Sequence, residues 1–257
     1  MLLTASPHDK VRAARAAARA WRRGALSHAF DVAMPARPAR PEVPLLLPAN
    51  RMAKRGKAGS ERSRIAMLHA LAHIEFGAID LAFDMAGRFG AGLPRAFVDD
   101  WIGVGADEAM HFALIDRRLR ALGSHYGALP AHDGLWEAAG ETAHDLLARL
   151  AVVPMVLEAR GLDVTPALIA AFERAGDMRS AAILGRIYRD EIRHVAAGTY
   201  WFGYACESRG FAAVPHWQDL IRTHFKGALK PPFNDSARGQ AGLSREYYSG
   251  VAAPTYV

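Results

Sequence analysis

Residues 107–111 read D-E-A-M-H, and residues 190–194 repeat the same pattern as D-E-I-R-H. Each copy contains a Glu-x-x-His, and each has an isolated glutamate 33 residues upstream of its own glutamate. The six side chains of the repeated pattern are Glu75, Glu108, His111, Glu158, Glu191 and His194. Four carboxylates and two imidazoles in two equivalent halves are the ligand set of a dinuclear metal site inside a four-helix bundle.

The spacing of the glutamates tests whether each half forms a helical hairpin. If two antiparallel helices hold their glutamates at one height, the turn falls midway between the two residues. The midpoint of the first pair lies in the Gly-Ala-Gly turn at residues 90–92. The midpoint of the second pair lies between Arg174 and Ala175, beside Gly176. Each arm is then about 16 residues, or roughly 24 Å of helix, so both hairpins are predicted to place their carboxylates level.

Apolar periodicity and the positions of Gly and Pro predict the helices. They cover residues 7–24, 60–88, 94–122, 135–160, 165–175, 178–208 and 217–225. Pro154 predicts a kink and Gly161 the end of the helix that contains Glu158. Asp177 is the predicted cap of the long helix that follows it. The proline-rich stretch 34–48 and the tail from residue 230 are predicted to be mostly irregular.

The fold class that follows is all-α. The segment from residue 122 to residue 140 can travel the length of a bundle at roughly 3.3 Å per residue. We therefore expect a ferritin-like four-helix bundle of two antiparallel hairpins joined by a long crossover. The predicted domains are an N-terminal short helix and basic proline-rich arm at 1–58, the bundle with its dinuclear metal site at 59–209, and a C-terminal extension at 210–257.

Composition agrees with a helical protein that has a sizeable core. The chain has 257 residues, and 51% of them are hydrophobic. Ala, Leu and Arg are abundant while β-branched runs are scarce, which favours helices. Cys206 is the single cysteine, so an intrachain disulfide and a thiolate metal cluster are excluded.

The N-terminal residues contain no continuous apolar core of a signal peptide, and no stretch approaches the roughly 20 uncharged apolar residues of a membrane span. A cytoplasmic location without a membrane partner is therefore expected.

The net charge of +6 raises the question of a nucleic-acid partner. Much of the excess lies in the first 64 residues and includes Arg12, Arg15, Arg19, Arg22, Arg23, Lys54, Arg55 and Lys57. Because no known RNA- or DNA-binding motif accompanies these residues, we expect a solvated basic arm and do not expect nucleic acid as a partner.

The i, i+3 spacing places both side chains of each Glu-x-x-His on one helix face. Glu108 and Glu191 are predicted to bridge two metal ions, and Glu75 and Glu158 to cap one ion each. Oxygen-rich ligation with one imidazole per ion suits iron or manganese better than zinc. The expected pair is Fe/Fe, with Mn/Fe and Mn/Mn as alternatives.

An aspartate precedes each Glu-x-x-His. A carboxylate that accepts the second ring N–H of a ligand histidine fixes its tautomer and orientation, and we assign Asp107 and Asp190 this role. Glu141 and His144 form a third Glu-x-x-His. No glutamate at the 33-residue interval accompanies them, so we expect solvent-facing helix residues.

The six residues resemble the ligand pattern of the ferritin-like di-iron carboxylate superfamily, and their Asp-Glu-x-x-His form is similar to that of bacterial di-iron monooxygenases. The strings H-A-L-A-H-I-E (69–75), V-L-E-A-R-G-L-D (156–163) and R-D-E-I-R-H-V (189–195) are similar to a bacterial ferritin-like family catalogued as a domain of unknown function. This resemblance implies the fold and the metal site but no substrate.

Two further residues lie near the pattern on the last long helix. Tyr188 shares the face of Glu191, where an ordinary core tyrosine is expected and a hydrogen-bonding or redox-active phenol is the alternative. Gly198, one turn after His194, could open a substrate pocket or permit close helix packing.

The leading functional hypothesis is an O2-dependent oxidoreductase, either an oxidase or a hydroxylase, whose chemistry is carried by the metal centre rather than by one catalytic side chain. Its expected partners are O2 and an unknown small-molecule substrate, with an electron donor as a further candidate. The alternatives are a ferroxidase, iron-handling or peroxide-defence protein, and a tRNA-modifying hydroxylase that uses the basic arm. A monomer or small homo-oligomer is expected.

Overall fold

The structure, a computed structural model, describes residues 1–53 and 58–253. Every regular element in these residues is helical, which confirms the all-α prediction. The first helices are α1 (Pro7–Arg22), α2 (Glu61–Phe89), α3 (Arg95–Ala121) and α4 (Gly134–Glu141). Next come α5 (Leu146–Val152), a π-helical turn (Val153–Glu158), α6 (Ala159–Arg174) and α7 (Met178–Ser208). The last are α8 (Ala213–His224), α9 (Asp235–Gln240) and α10 (Arg245–Ser249).

The chain forms two compact units. The first unit contains Met1–Trp136 and Ala170–Ile183, and the second contains Glu137–Ile169 and Leu184–Val257. The domain boundaries expected after residues 58 and 209 stay a prediction, as does the four-helix bundle. Lys54, Arg55 and Lys57 of the predicted basic arm lie outside the described residues.

The hairpin of α2 and α3 dominates the first unit and follows the predicted bounds closely. Ser60 and Ser63 form a reciprocal capping box at the start of α2, which satisfies two backbone N–H groups. The turn after α2 places Gly92 at φ 79°, a conformation that glycine adopts without steric cost. The two helices approach closely at Gly105, where an added Cβ would lie 2.5 Å from the Phe83 ring.

The N-terminal helix packs against α3 and is held by polar contacts that its sequence did not reveal. The fully buried Lys10 Nζ donates to Asp80 Oδ1 at 2.6 Å and to the Ala39 carbonyl at 3.1 Å. The Trp21 indole N–H donates to Asp99 at 2.6 Å. A buried ion pair of this kind is costly to break because the remaining charge has no solvent.

The prediction of one continuous helix over residues 135–160 is wrong, because the range is divided into shorter elements. A turn separates α4 from α5, and Asp145 caps α5 by accepting from the backbone N–H groups of Leu147 and Ala148. The proline at position 154 has no N–H to donate, and the backbone widens there into the π-helical turn. Wide turns of this type are rare and often occur at functional sites.

The predicted helix end at Gly161 is also wrong, because α6 runs from Ala159 to Arg174 through both Gly161 and Pro166. Pro166 cannot donate to the carbonyl of Leu162, four residues earlier. The side-chain N–H of Asn234 donates to that carbonyl instead, at 3.1 Å. A residue far along the chain therefore supplies the hydrogen bond that the proline removes.

The C-terminal tail is more ordered than predicted, since it contains α9 and α10. Arg238 of α9 is buried and pairs with the buried Asp163 of α6 at 2.7 Å. Asn234 also donates to the hydroxyl of Tyr188 at 2.9 Å. These contacts hold the tail to α6 and α7 within the second unit.

One helix among the described residues, α2, is long and apolar enough to cross a membrane by length and composition. Of its most apolar 18-residue window, 61% is buried inside the protein, as in the core helix of a soluble protein. Length and composition alone are weak evidence for a membrane span.

Candidate metal centre

The first half of the pattern forms a buried cluster on the α2–α3 hairpin. Glu75 comes from α2, and Glu108 and His111 come from one face of α3. Their exposed fractions are 5%, 1% and 0%. The Nδ1 atom of His111 lies 3.2 Å from Glu75 Oε2 and 3.4 Å from Glu108 Oε2. Potential ligand atoms of the three side chains lie within 4.8 Å of one another, so this group could hold a metal ion.

The buried carboxylates and the histidine of this cluster perturb one another's pKa values. Burial raises the pKa of Glu75 well above its usual value, and the neighbouring Glu108 charge raises it further. Burial lowers the pKa of His111, but its hydrogen bonds to Glu108 and Glu75 outweigh burial and raise it to about 11. Crowded buried carboxylates need positive charge nearby, and a divalent cation is a strong source of it.

The second half of the pattern has less regular backbone. Glu158 is the last residue of the π-helical turn, whereas Glu191 and His194 lie on one face of α7. His194 Nδ1 lies 3.4 Å from Glu191 Oε1, and the two side chains are 2% and 12% exposed. The distance equals that of the Glu108–His111 pair in the first half, while Glu191 is more exposed than Glu108, which is 1% exposed.

Gly198 has a packing role in this half. A Cβ built on Gly198 would clash with the ring of Pro154, which belongs to the π-helical turn. The glycine therefore lets the turn that ends at Glu158 lie directly against α7. Of the two interpretations open from the sequence, the structure favours close packing at this position.

Asp190 has partners that the sequence analysis missed. Its carboxylate accepts from Arg186 Nε at 2.7 Å and from an Arg193 guanidinium N–H at 2.6 Å, one turn to either side on α7. Both arginines lie within four residues of Asp190, so helical spacing alone could have indicated the pairing. Asp107 is partly buried on α3. The proposed role of both aspartates beside ligand histidines stays a prediction.

Asp80 is a second residue that the sequence analysis missed. It is fully buried on α2 and pairs with Lys10 and Arg40. In the sequence, Asp80 stands out as a charged residue inside an apolar stretch of helix. Its partners, however, lie 70 and 40 residues away in sequence. Sequence spacing therefore could not have named them.

The third Glu-x-x-His lies in a different environment from the other two. Helix α4 ends at Glu141, so Glu141 and His144 do not share one helix. Glu141 pairs with Lys226, and the ring of His144 lies 5.5 Å from that of His224. His144 is exposed, as expected for a residue outside a metal site.

The two histidines before Glu75 are occupied by hydrogen bonds of their own. His69 Nε2 accepts from the backbone N–H of Gly127 at 3.0 Å, and His73 Nδ1 lies 2.8 Å from the Tyr126 hydroxyl. Burial lowers the pKa of each histidine to about 4. Both side chains therefore help to hold the segment after α3.

Fold and site together define an all-helical protein with a buried cluster of glutamates and a histidine. The family described as "Protein of unknown function (DUF455)" matches residues 3–249, and the chain belongs to this family. A protein of Haemophilus influenzae (strain ATCC 51907 / DSM 11121 / KW20 / Rd), described as "Uncharacterized protein", is 43% identical over 211 residues. The match covers 80% of this chain and 73% of that protein. No solved structure matches the chain. The predicted likeness to a family of unknown function is thus confirmed.

Proposed function

We propose that the protein is a dinuclear metal carboxylate oxidoreductase with a ferritin-like four-helix bundle. The observation that supports it most is the buried cluster of Glu75, Glu108 and His111 with ligand atoms within 4.8 Å. The repeat of this pattern, with the same 33-residue interval, extends the proposal to a second ion. The proposed ligand set is Glu75, Glu108, His111, Glu158, Glu191 and His194.

The proposed roles follow from donor chemistry and position. Glu75 and Glu108 would supply carboxylate oxygens to one ion, and Glu158 and Glu191 to the other. His111 and His194 would each supply one nitrogen, in a set otherwise made of carboxylate oxygens. Such an oxygen-rich set suits iron or manganese, so Fe/Fe, Mn/Fe and Mn/Mn are the proposed pairs.

A bound iron or manganese pair would supply O2-dependent oxidation of a small organic substrate. The protein's own residues fix the ligand geometry and exclude water. Low exposure at Glu108 and His111 keeps their charges out of solvent, which strengthens their interaction with a cation. Helices rather than loops carry Glu75, Glu108 and Glu191, so these ligands are held by rigid backbone.

Metal analysis tests the proposal directly. The protein is expressed with iron and manganese supplied, and bound metal is measured by inductively coupled plasma mass spectrometry. We expect about two ions per chain, as the six-ligand pattern requires. The variant Glu108→Ala/His111→Ala should lose them. The matched control Glu141→Ala/His144→Ala removes the same motif from the exposed segment and should keep both ions.

Oxygen consumption by the reduced, metal-loaded protein then separates oxidoreductase chemistry from metal binding alone. Absence of bound iron and manganese in the unaltered protein would overturn the metal site. Two bound ions without O2 consumption would overturn the oxidoreductase while leaving the metal site intact.

A further inference from the structure

One exposed flank of α1 carries a row of arginines along the helix. Successive residues of an α-helix are about 100° apart around the axis. By that rule five arginines lie within about 100° of arc on one flank of the helix. They are Arg12, Arg15, Arg19, Arg22 and Arg23, and all five are exposed. We call this set the arginine flank.

Little negative charge neutralises the arginine flank. Arg12 pairs with Asp9 one turn earlier. Among the described residues, no carboxylate forms an ion pair with Arg15, Arg19, Arg22 or Arg23. At the N-terminal end of α1 the charge is balanced, because Arg120 of α3 lies 2.7 Å from His8 Nε2 and pairs with Asp116 at 3.0 Å.

The helix that carries the arginine flank is held rigidly by the rest of the first unit. Its apolar side is buried at Val11, Ala14, Ala18 and Trp21. The Arg95 guanidinium lies over the Trp21 ring at 4.1 Å, and the buried Lys10–Asp80 pair fixes the first turn. The arginines are therefore presented on a fixed scaffold rather than on a flexible arm.

We propose that the arginine flank is a docking surface for nucleic acid, bound through its phosphate backbone without base readout. This partner goes beyond the proposed oxidoreductase function and does not depend on it. Guanidinium groups bind phosphate oxygens through paired N–H donors, which makes arginine the preferred residue for phosphate contacts. A sequence motif is not needed for backbone binding, so its absence from the chain does not oppose this partner.

The length of the arginine flank fits a strand of phosphates. From Arg12 to Arg23 the helix rises about 16 Å. One strand of a duplex places a phosphate every 3.4 Å or so along its axis, so the flank spans roughly five phosphates. A row of arginines along one flank of a helix fits the linear arrangement of phosphates in a nucleic-acid strand better than it fits a plane of lipid headgroups.

A membrane surface fits the same helix less well. Helices that lie on a bilayer bury their apolar face among the acyl chains. In this protein that face of α1 is covered by the first unit, at Ala14, Ala18 and Trp21. Only charge attraction would remain for lipid binding.

Fluorescence anisotropy of the full chain tests the proposal. The probes are a labelled single-stranded RNA of about 20 nucleotides and a duplex of the same length, with salt varied from about 50 to 200 mM. The flank variant is Arg15→Gln/Arg19→Gln/Arg22→Gln, in which Gln keeps helix propensity. The control variant is Arg62→Gln/Arg174→Gln/Arg179→Gln, which removes three exposed arginines from other helices of the first unit.

We expect the unaltered protein and the control variant to bind RNA with affinities within about threefold of each other. The flank variant should bind at least tenfold more weakly at about 100 mM salt. Its plot of log affinity against log salt should be shallower by about 2, because three phosphate contacts are lost at about 0.7 each on a single strand. Circular dichroism should show unchanged helix content.

Three results would overturn the proposal. The first is no RNA binding by the unaltered protein at the lowest salt. The second is an equal loss of affinity in the flank and control variants, which would reflect net charge alone. The third is binding to phosphatidylserine-containing vesicles that depends on the arginine flank while RNA does not bind, which would assign this surface to a membrane.

Discussion

The two halves of the repeated Glu, Glu-x-x-His pattern have nearly the same side chains on different backbones. In the first half, Glu75 lies within the regular helix α2. In the second half, Glu158 ends a π-helical turn that contains Pro154. The Glu-x-x-His pairs themselves are alike, with a closest nitrogen–oxygen distance of 3.4 Å in each. The two Glu-x-x-His pairs therefore share one geometry on regular helices, whereas the backbone that carries the upstream glutamate differs between the halves.

The contacts that support the two halves differ in their chemistry. The first half depends on contact between two long helices, reinforced by the buried Lys10–Asp80 pair one and a half turns beyond Glu75. The second half depends on a glycine in α7 that admits the ring of Pro154. We therefore expect the first half to tolerate local changes better than the second.

Removal of the upstream glutamates should produce the largest effect and tests whether the halves are equivalent. Glu75→Gln and Glu158→Gln each keep the side-chain shape but remove a charged ligand. We expect each variant to lose affinity for one ion by more than the 10- to 100-fold or so that loss of an outer-shell partner costs. Titration with metal measures the affinity of each variant. Full metal affinity in Glu158→Gln alone would show that the second half does not use its upstream glutamate.

The next largest effect concerns the support of the first half. Lys10→Met leaves the buried Asp80 carboxylate with the Arg40 ion pair but without the Lys10 ion pair, which should lower the free energy of unfolding by about 3 to 5 kcal/mol. Chemical denaturation measures this change. The double variant Lys10→Met/Asp80→Leu should recover much of the loss, since it removes the isolated carboxylate. Equal stability of the single variant and the unaltered protein would contradict the importance of this pair.

Gly198→Ala tests the support of the second half. The added methyl group would overpack against Pro154 and should lower the free energy of unfolding by about 1 to 3 kcal/mol. We also expect weaker binding of the ion held by Glu158. Gly203→Ala on the same helix is the control, because an added Cβ there meets no atom within 4 Å.

The corresponding change in the first half is Gly105→Ala. At Gly105 an added Cβ would meet the side chain of Phe83, which can turn aside more easily than a proline ring. Gly105→Ala should therefore cost less than Gly198→Ala in both stability and metal affinity. A larger loss in Gly105→Ala would reverse the ranking of the two halves.

The smallest expected effect is at the C-terminal tail. Asn234→Ala removes the donor to the Leu162 carbonyl and also the Oδ1 that caps α9 by accepting from the Ala237 N–H, and it should lower the free energy of unfolding by about 1 to 2 kcal/mol. Tyr188→Phe removes the hydroxyl that Asn234 contacts but keeps the bond to Leu162. Thermal unfolding of the two variants separates the Tyr188 contact from the others, and an equal loss in both would show that neither the carbonyl bond nor the cap of α9 contributes.

Much of the local structure could be predicted because its causes are local. Helix α7 begins and ends at the predicted residues 178 and 208, and Asp177 accepts from the Ser180 backbone N–H as a cap should. The glycine turn after α2 also lies where the glutamate midpoint placed it. The wrong helix bounds lie around Glu158. There proline and glycine predicted helix ends, but contacts with distant residues determine where the helices begin and end.

By itself, the sequence determined the all-helical class, the hairpin bounds of α2 and α3, and the inventory of candidate ligands. These depend on spacing and capping within a few residues. The continuation of α6 through Pro166 depends on a tertiary contact, because Asn234, 68 positions later in the chain, supplies the missing donor. The π-helical turn that ends at Glu158 likewise depends on tertiary packing, because Pro154 of that turn lies against Gly198 of α7. Both outcomes depend on contacts between residues distant in sequence, and periodicity carries no information about such contacts.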